Sequence, residues 1–251
     1  MASATPPGLW HCGGSRRQPD NAHDPDPRPL ISKLPAWVWT GAGVLAFIAG
    51  TVNVIGLLGF GHEAITHLTG NTSLLGDAVA RLDLHTALHF AALIGAFVAG
   101  CVLSGFIIQD STLQLGHRYG VALLLGSVLL FAAVPLLGRG SVYGMYAAAA
   151  ACGLQNAMAS TFSGAVVRTT HVSGMFTDLG IFLGHALRGI AVDTRRLWLC
   201  VVVISGFFGG GVAGAVGFRV LGYRTLLIPA TLTAVAALAY GLYRWRRSDD
   251  V

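Results

Sequence analysis

The chain has 251 residues, of which 54% are hydrophobic and only 11% charged, and its mean hydropathy is +0.66. This is about half the charge of an ordinary soluble domain, which excludes a water-exposed globule and points to a lipid bilayer as the main partner. The net charge of +5 does not point to nucleic acid, because the arginines stand at the ends of apolar segments and form no patch interleaved with aromatics.

Residues 1–35 hold seven of the nine prolines together with Arg16, Arg17, Arg28 and Lys33, and contain no apolar run of signal-peptide length. This composition predicts a disordered Pro-rich cytoplasmic tail, either a solvated leader or a recognition segment. Apolar segments follow at about 37–60, 86–108, 119–137, 142–162, 197–218 and 225–243. Each is long enough to cross a bilayer, since ~20 helical residues span ~30 Å. The four cysteines, at 12, 101, 152 and 200, show no CxxC spacing and are read as reduced thiols without a shared role.

Charge sets the expected orientation. With both termini inside, twelve of the sixteen Lys and Arg residues flank the inner face, leaving Arg81, Arg139, Arg219 and Arg224 outside. Trp37, Trp39, Trp198 and Trp245 fall at inner ends, where amphipathic rings sit at headgroup depth. The expectation is a multi-pass protein of the bacterial inner membrane.

The stretch Gly50–Asp77 recurs imperfectly at Gly153–Asp178. Gly50 and Asn53 pair with Gly153 and Asn156 at an offset of 103, whereas Thr66-His67 and Gly70 pair with Thr170-His171 and Gly174 at 104, so one residue has been inserted. Further matches are Gly95 and Gly100 with Gly206 and Gly211, Tyr119 with Tyr223, and Arg139 with Arg244. The predicted repeats cover 36–140 and 141–245, with a short cytoplasmic tail at 246–251. The expected fold is all-α: six transmembrane helices in two inverted three-helix repeats, with the segments 62–80 and 165–187 broken or re-entrant. The alternative is eight crossings in two parallel four-helix repeats.

Each copy carries an Asn inside a glycine-rich helix, followed by T-H-x-[TS]-G at 66–70 and 170–174. Small polar residues satisfy a broken helix, and a new helix starting there exposes N–H groups that attract anions. Asn71, Thr72 and Ser73 are good cap types for the first new helix, with a poorer start near Met175 for the second. Asn53, Thr69, Asn71, Asn156 and Arg168 are the expected contacts for a small anionic or zwitterionic solute. His67 and His171 are candidates for protonation or gating. Each has a plainer reading, in which the Asn residues bond across helices, the motifs are tight turns, and the histidines donate to carbonyls.

His85 and His89 stand four apart and, with His62, resemble a metal-ligand face, but no Cys or carboxylate has matching spacing, so no metal or other cofactor is expected. No catalytic triad order, nucleophile elbow, Walker loop or dinucleotide fingerprint is present, so no enzyme activity is expected. Gly210-x-x-x-Gly214 is a close-packing face that suits scaffold packing, sliding of one repeat on the other, or a homodimer contact.

Over about residues 38–243 the chain resembles the YoaK-type family of bacterial multi-pass membrane proteins, a domain of unknown function. The resemblance rests on His67-Leu68-Thr69-Gly70-Asn71-Thr72 with Leu75-Gly76, and on Gly153–Ala157 followed by Arg168–Gly174. It implies a fold and a location and no substrate. Asn53 stands where the family pattern carries an Asp, so a coupling step through that acid is not expected here. The leading functional expectation is a secondary transporter or permease-like carrier with its site between the repeats; the alternative is a non-transporting scaffold or sensor.

Overall fold

The computed structural model describes residues 36–59, 61–108 and 118–248; the expected N-terminal tail lies outside them. They form eight α-helices: α1 (Ala36–Leu58), α2 (Leu68–Ala80), α3 (Leu84–Ile108), α4 (Arg118–Gly138), α5 (Tyr143–Ser163), α6 (Val172–Leu187), α7 (Thr194–Leu221) and α8 (Leu227–Ser248), with a 3-10 turn at Gly222–Leu226 before the last. Helices α1, α3, α4, α5, α7 and α8 lie within a few residues of the six predicted spans. Four stretches, Trp37–Leu58, Leu84–Ile108, Arg118–Gly138 and Thr194–Leu242, are long and apolar enough to cross a membrane.

Helix α5 is as long as α4, yet it is the one long helix outside those stretches. Its burial explains this: most of its residues are enclosed by protein, including Gln155 and Ser163. A helix that meets other helices instead of solvent or lipid can carry polar groups that pair internally. Gln155 is the exception, because it is 5% exposed and its Nε2 has no partner among the described residues. It borders a gap of about 10 Å³ beside Gly126 and Thr233. Gln155→Met removes a buried unpaired donor, whose cost is about 1–3 kcal/mol, and should raise the Tm in detergent; an unchanged or lower Tm would show that the amide is paired.

The tertiary order is an exchange of partners between the two halves. α1 packs along α7, and α5 packs along α3 and α4. Both interfaces are parallel and use glycine in the same way. A Cβ at Gly50 or Gly153 would overlap the carbonyl oxygen of Phe207 or Phe97, and one at Gly210 or Gly100 that of Phe47 or Ala150. The matched glycines are therefore Gly100 and Gly210, offset 110, which corrects the expected pairing with Gly211. Gly95 and Gly211 face open space. The same offset relates the helix caps: Asp83 accepts from Thr86 N at 3.1 Å before α3, and Asp193 accepts from Arg195 N at 3.0 Å before α7. Hydrogen bonds from the Thr86 side chain and backbone hold the Asp83 carboxyl below the usual carboxylate range.

α1 and α5 are antiparallel. At one end the Trp37 ring lies 5.4 Å from that of Phe162, while at the other Gly61, just past α1, meets Met145 at the start of α5. The expected pairing of chain ends is less regular: Tyr119 stands in the first turn of α4 but Tyr223 in the 3-10 turn, and Arg244 lies inside α8.

Candidate functional site

The two asparagines hold the two breaks. On α1, Asn53 Oδ1 accepts from Thr66 N and Oγ1, both at 2.9 Å. On α5, Asn156 Oδ1 accepts from Thr169 N at 2.9 Å and Thr169 Oγ1 at 3.3 Å. Each bond pair pins a returning connector to the helix it has just left, thirteen residues back. The connectors turn alike, with His62 and Ala165 both in the left-handed region at φ 49° and 64°. Thr66 thus corresponds to Thr169, at the same offset of 103 as the asparagines. The inserted residue is Thr170, and the expected match of Thr66 to Thr170 is corrected.

After the insertion the offset becomes 104, and His67 and His171 precede α2 and α6 as their N-cap residues. Neither side chain caps its helix. Each ring folds back over the first turn instead: a Cβ at Gly70 would lie 2.7 Å from His67 Nδ1, and one at Gly174 would overlap the His171 ring. The glycine of T-H-x-[TS]-G is therefore the floor on which the imidazole rests. Both short helices start earlier than expected, at Leu68 and Val172. Asn71 does not cap; it lies inside the first turn, buried, and donates its amide to Ala64 O at 2.8 Å. Thr72 and Ser73 bond back to Leu68 O and Thr69 O.

Between the two motifs lies a cavity of about 380 Å³. The first half contributes Asn53, Thr66, His67 and Thr69, the second Asn156, Thr170, His171 and Ser173, and α3 and α7 contribute the corresponding Phe97 and Phe207. Arg168 is its one permanent charge, and among the described residues that guanidinium makes no ion pair. Of the expected solute contacts, Asn53, Thr69, Asn156 and Arg168 line this cavity and Asn71 does not. Both predicted histidines do line it, on opposite halves. A space of this size with two amides, several hydroxyls, two imidazoles and one guanidinium suits a small polar solute carrying a carboxylate or similar anion.

Arg168 and His171 also border a second cavity, of about 520 Å³, between the α5–α6 connector, α6 and α7. It adds Arg196 and Asp178 and extends toward the start of α7. Sequence reasoning missed this space, along with Thr170 and the two phenylalanines. The phenylalanines were detectable, since each lies three residues before a matched packing glycine. Ser160 only ties Asn156 O to the following connector, and Gln155 faces away from the cavity toward α4 and α8.

The three histidines considered as a metal face have different surroundings. His62 Nδ1 lies 3.2 Å from Leu57 O, His85 is exposed, and His89 is bound between Glu63 and Tyr146.

Residues 41–239 match the profile of a family described as "Protein of unknown function (DUF1275)". The chain belongs to the DUF1275 family. No curated protein and no solved structure matches it. The DUF1275 region includes both asparagine anchors, both histidine caps and Arg168, so every lining residue named above is part of the family unit.

Proposed function

We propose that this DUF1275 member, of the YoaK type, is a secondary carrier for a small anionic or zwitterionic solute in the bacterial inner membrane, and not an enzyme. The carrying observation is the 380 Å³ cavity bounded by both copies of one motif, with Arg168, which makes no ion pair among the described residues, on its wall. A duplicated, broken-helix site between two halves is the plan by which many carriers expose one site alternately to two sides.

In this reading α1, α3, α4, α5, α7 and α8 cross the bilayer and α2 and α6 are re-entrant. The support is length and direction. At 1.5 Å per residue α2 reaches only about 20 Å of the ~30 Å hydrocarbon layer. The antiparallel setting of α1 and α5 is what an inverted repeat requires. Trp37 and Trp198, both exposed, stand at the same end of the parallel helices α1 and α7, which favours one interface there and cytoplasmic termini. Asn53, Asn156, Thr69 and Arg168 would contact the solute.

The test is a thermal-shift screen of purified protein against organic acids, amino acids, sugars, nucleobases and metal ions. A binder at about 100 times its Kd should add ~2.7 kcal/mol. The expected hit carries a carboxylate or similar anion, and it should disappear in Arg168→Ala and in the His67→Ala/His171→Ala double variant. No stabilisation by any class would favour the scaffold reading.

A further inference from the structure

Glu63, His89 and Tyr146 form a hydrogen-bonded chain that the duplicated motif does not account for. Glu63 lies in the connector between α1 and α2, His89 on α3 and Tyr146 on α5. His89 Nε2 is 2.6 Å from Glu63 Oε2, and its Nδ1 is 2.8 Å from the Tyr146 hydroxyl. The acid and the imidazole are mostly enclosed, at 18% and 15% exposure. The chain therefore ties one connector to helices from both halves.

The corresponding positions in the other half carry different residues. Shifting by the offsets fixed above, 103 for the connector and first helices and 110 for the third helices, turns Glu63, His89 and Tyr146 into Val166, Leu199 and Gly43. Val166 and Leu199 line the open 520 Å³ cavity. The same place in the fold is thus a cavity, bordered by Val166 and Leu199, at one end and a polar bridge at the other, where Met145 also fills the space beside Gly61.

We propose that Glu63, His89 and Tyr146 are a proton-binding latch that closes the mouth of the central cavity opposite the Arg168 side. With the imidazole neutral, Nε2–H donates to the carboxylate and Nδ1 accepts from the Tyr146 hydroxyl, so every member is paired at net charge −1. One proton on the ring gives an imidazolium–carboxylate pair and still holds the bridge. A further proton on Glu63 cancels the acceptor charge, leaves an imidazolium beside a neutral acid, and releases the connector. At this end α1 carries no titratable side chain; the connector carries His62 and, at its far end, His67, α3 His85, α5 Tyr143, α4 Arg139, and α7 with its following turn Arg219, Tyr223 and Arg224. Asp77 and Arg81 of α2 are bound to each other, and Asp83 is held by Thr86. For a carrier, a latch opened by protons from one side couples solute movement to proton entry; that consequence rests on the reading above, whereas the latch itself does not.

Amide hydrogen exchange of the full-length protein in lipid nanodiscs, at about pH 3, below the ordinary carboxylate range, and at about pH 8, corrected for intrinsic rates, tests it. Exchange across 59–67 should rise at least about tenfold at the lower pH, with 165–171 little changed. Glu63→Gln should exchange fast at both pH values, and His89→Gln should also lose the pH response, which covers the case in which one variant does not fold. Equal wild-type rates at the two pH values, or a full pH response in both variants, would overturn the proposal. Because no solute enters the readout, a working latch in a protein that binds nothing would refute the carrier and leave this assignment standing.

Discussion

Gly153→Ala should collapse the protein's stability, while Gly95→Ala, on the partner helix α3 two residues before the Phe97 that Gly153 meets, should not. A Cβ at Gly153 falls on the Phe97 carbonyl group and backbone, not on a side chain that could rotate away. Relief requires α3 and α5 to separate, and both carry walls of the central cavity. Overpacking of a well-packed core costs about 1–3 kcal/mol and occasionally more; with backbone against backbone, about 3 kcal/mol or more is expected. Gly50→Ala at the α1–α7 crossing should match it, because its Cβ meets Phe207 in the same way. At Gly95 nothing lies within 4 Å of the added atom, and helix propensity favours Ala by about 1 kcal/mol. Thermal melts in detergent decide this: a Gly153→Ala protein melting like the wild type would mean that the parallel α3–α5 packing is wrong.

The second large effect is at Asn53, where Leu and Asp should behave in opposite ways. Only Oδ1 is seen to hold Thr66, accepting from both its backbone N–H and its hydroxyl. Leu removes the acceptor and leaves buried Thr66 with two unpaired donors, at about 1–3 kcal/mol each. Asp keeps an oxygen in place and strengthens both bonds by its charge, offset in part by the cost of a half-buried carboxylate. Asn53→Asp should therefore retain most of the wild-type Tm, and Asn53→Leu should lose about 2–5 kcal/mol and expose the 59–67 connector to limited proteolysis. The same contrast is expected for Asn156 and the 165–171 connector. Equal damage from Leu and Asp would move the anchoring role to the Asn53 amide nitrogen.

The asparagine anchors are legible in the sequence only in part. Both asparagines were visible as a repeated pair, and their bond to a threonine thirteen residues later is local enough to be suggested by the repeat. That Thr169, and not Thr170, is the second partner was not visible, because two adjacent threonines satisfy an alignment equally and only one can return to the Asn156 oxygen. Asn71 shows the reverse error: a good capping residue by type, it was drawn away by the free Ala64 carbonyl, and a histidine that packs on glycine took the cap position.

What the sequence by itself determined is the apolar helices, placed within a few residues, the recurrence of one polar motif, and the two broken segments that carry it. Those features depend on length, hydropathy and internal likeness, all of which are local or are read by comparing the chain with itself. Only the tertiary structure decided that each first helix lies against the third helix of the other half, that α1 and α5 run antiparallel, and that Asn53 and Asn156 border one cavity. It alone also placed Glu63, His89 and Tyr146 in one bonded chain across separations of 26 and 57 residues. Helical periodicity states which face of a helix is polar but not which other helix that face will meet. The meeting is chosen by where glycine lets two backbones touch, a condition that belongs to pairs of helices and to neither one alone.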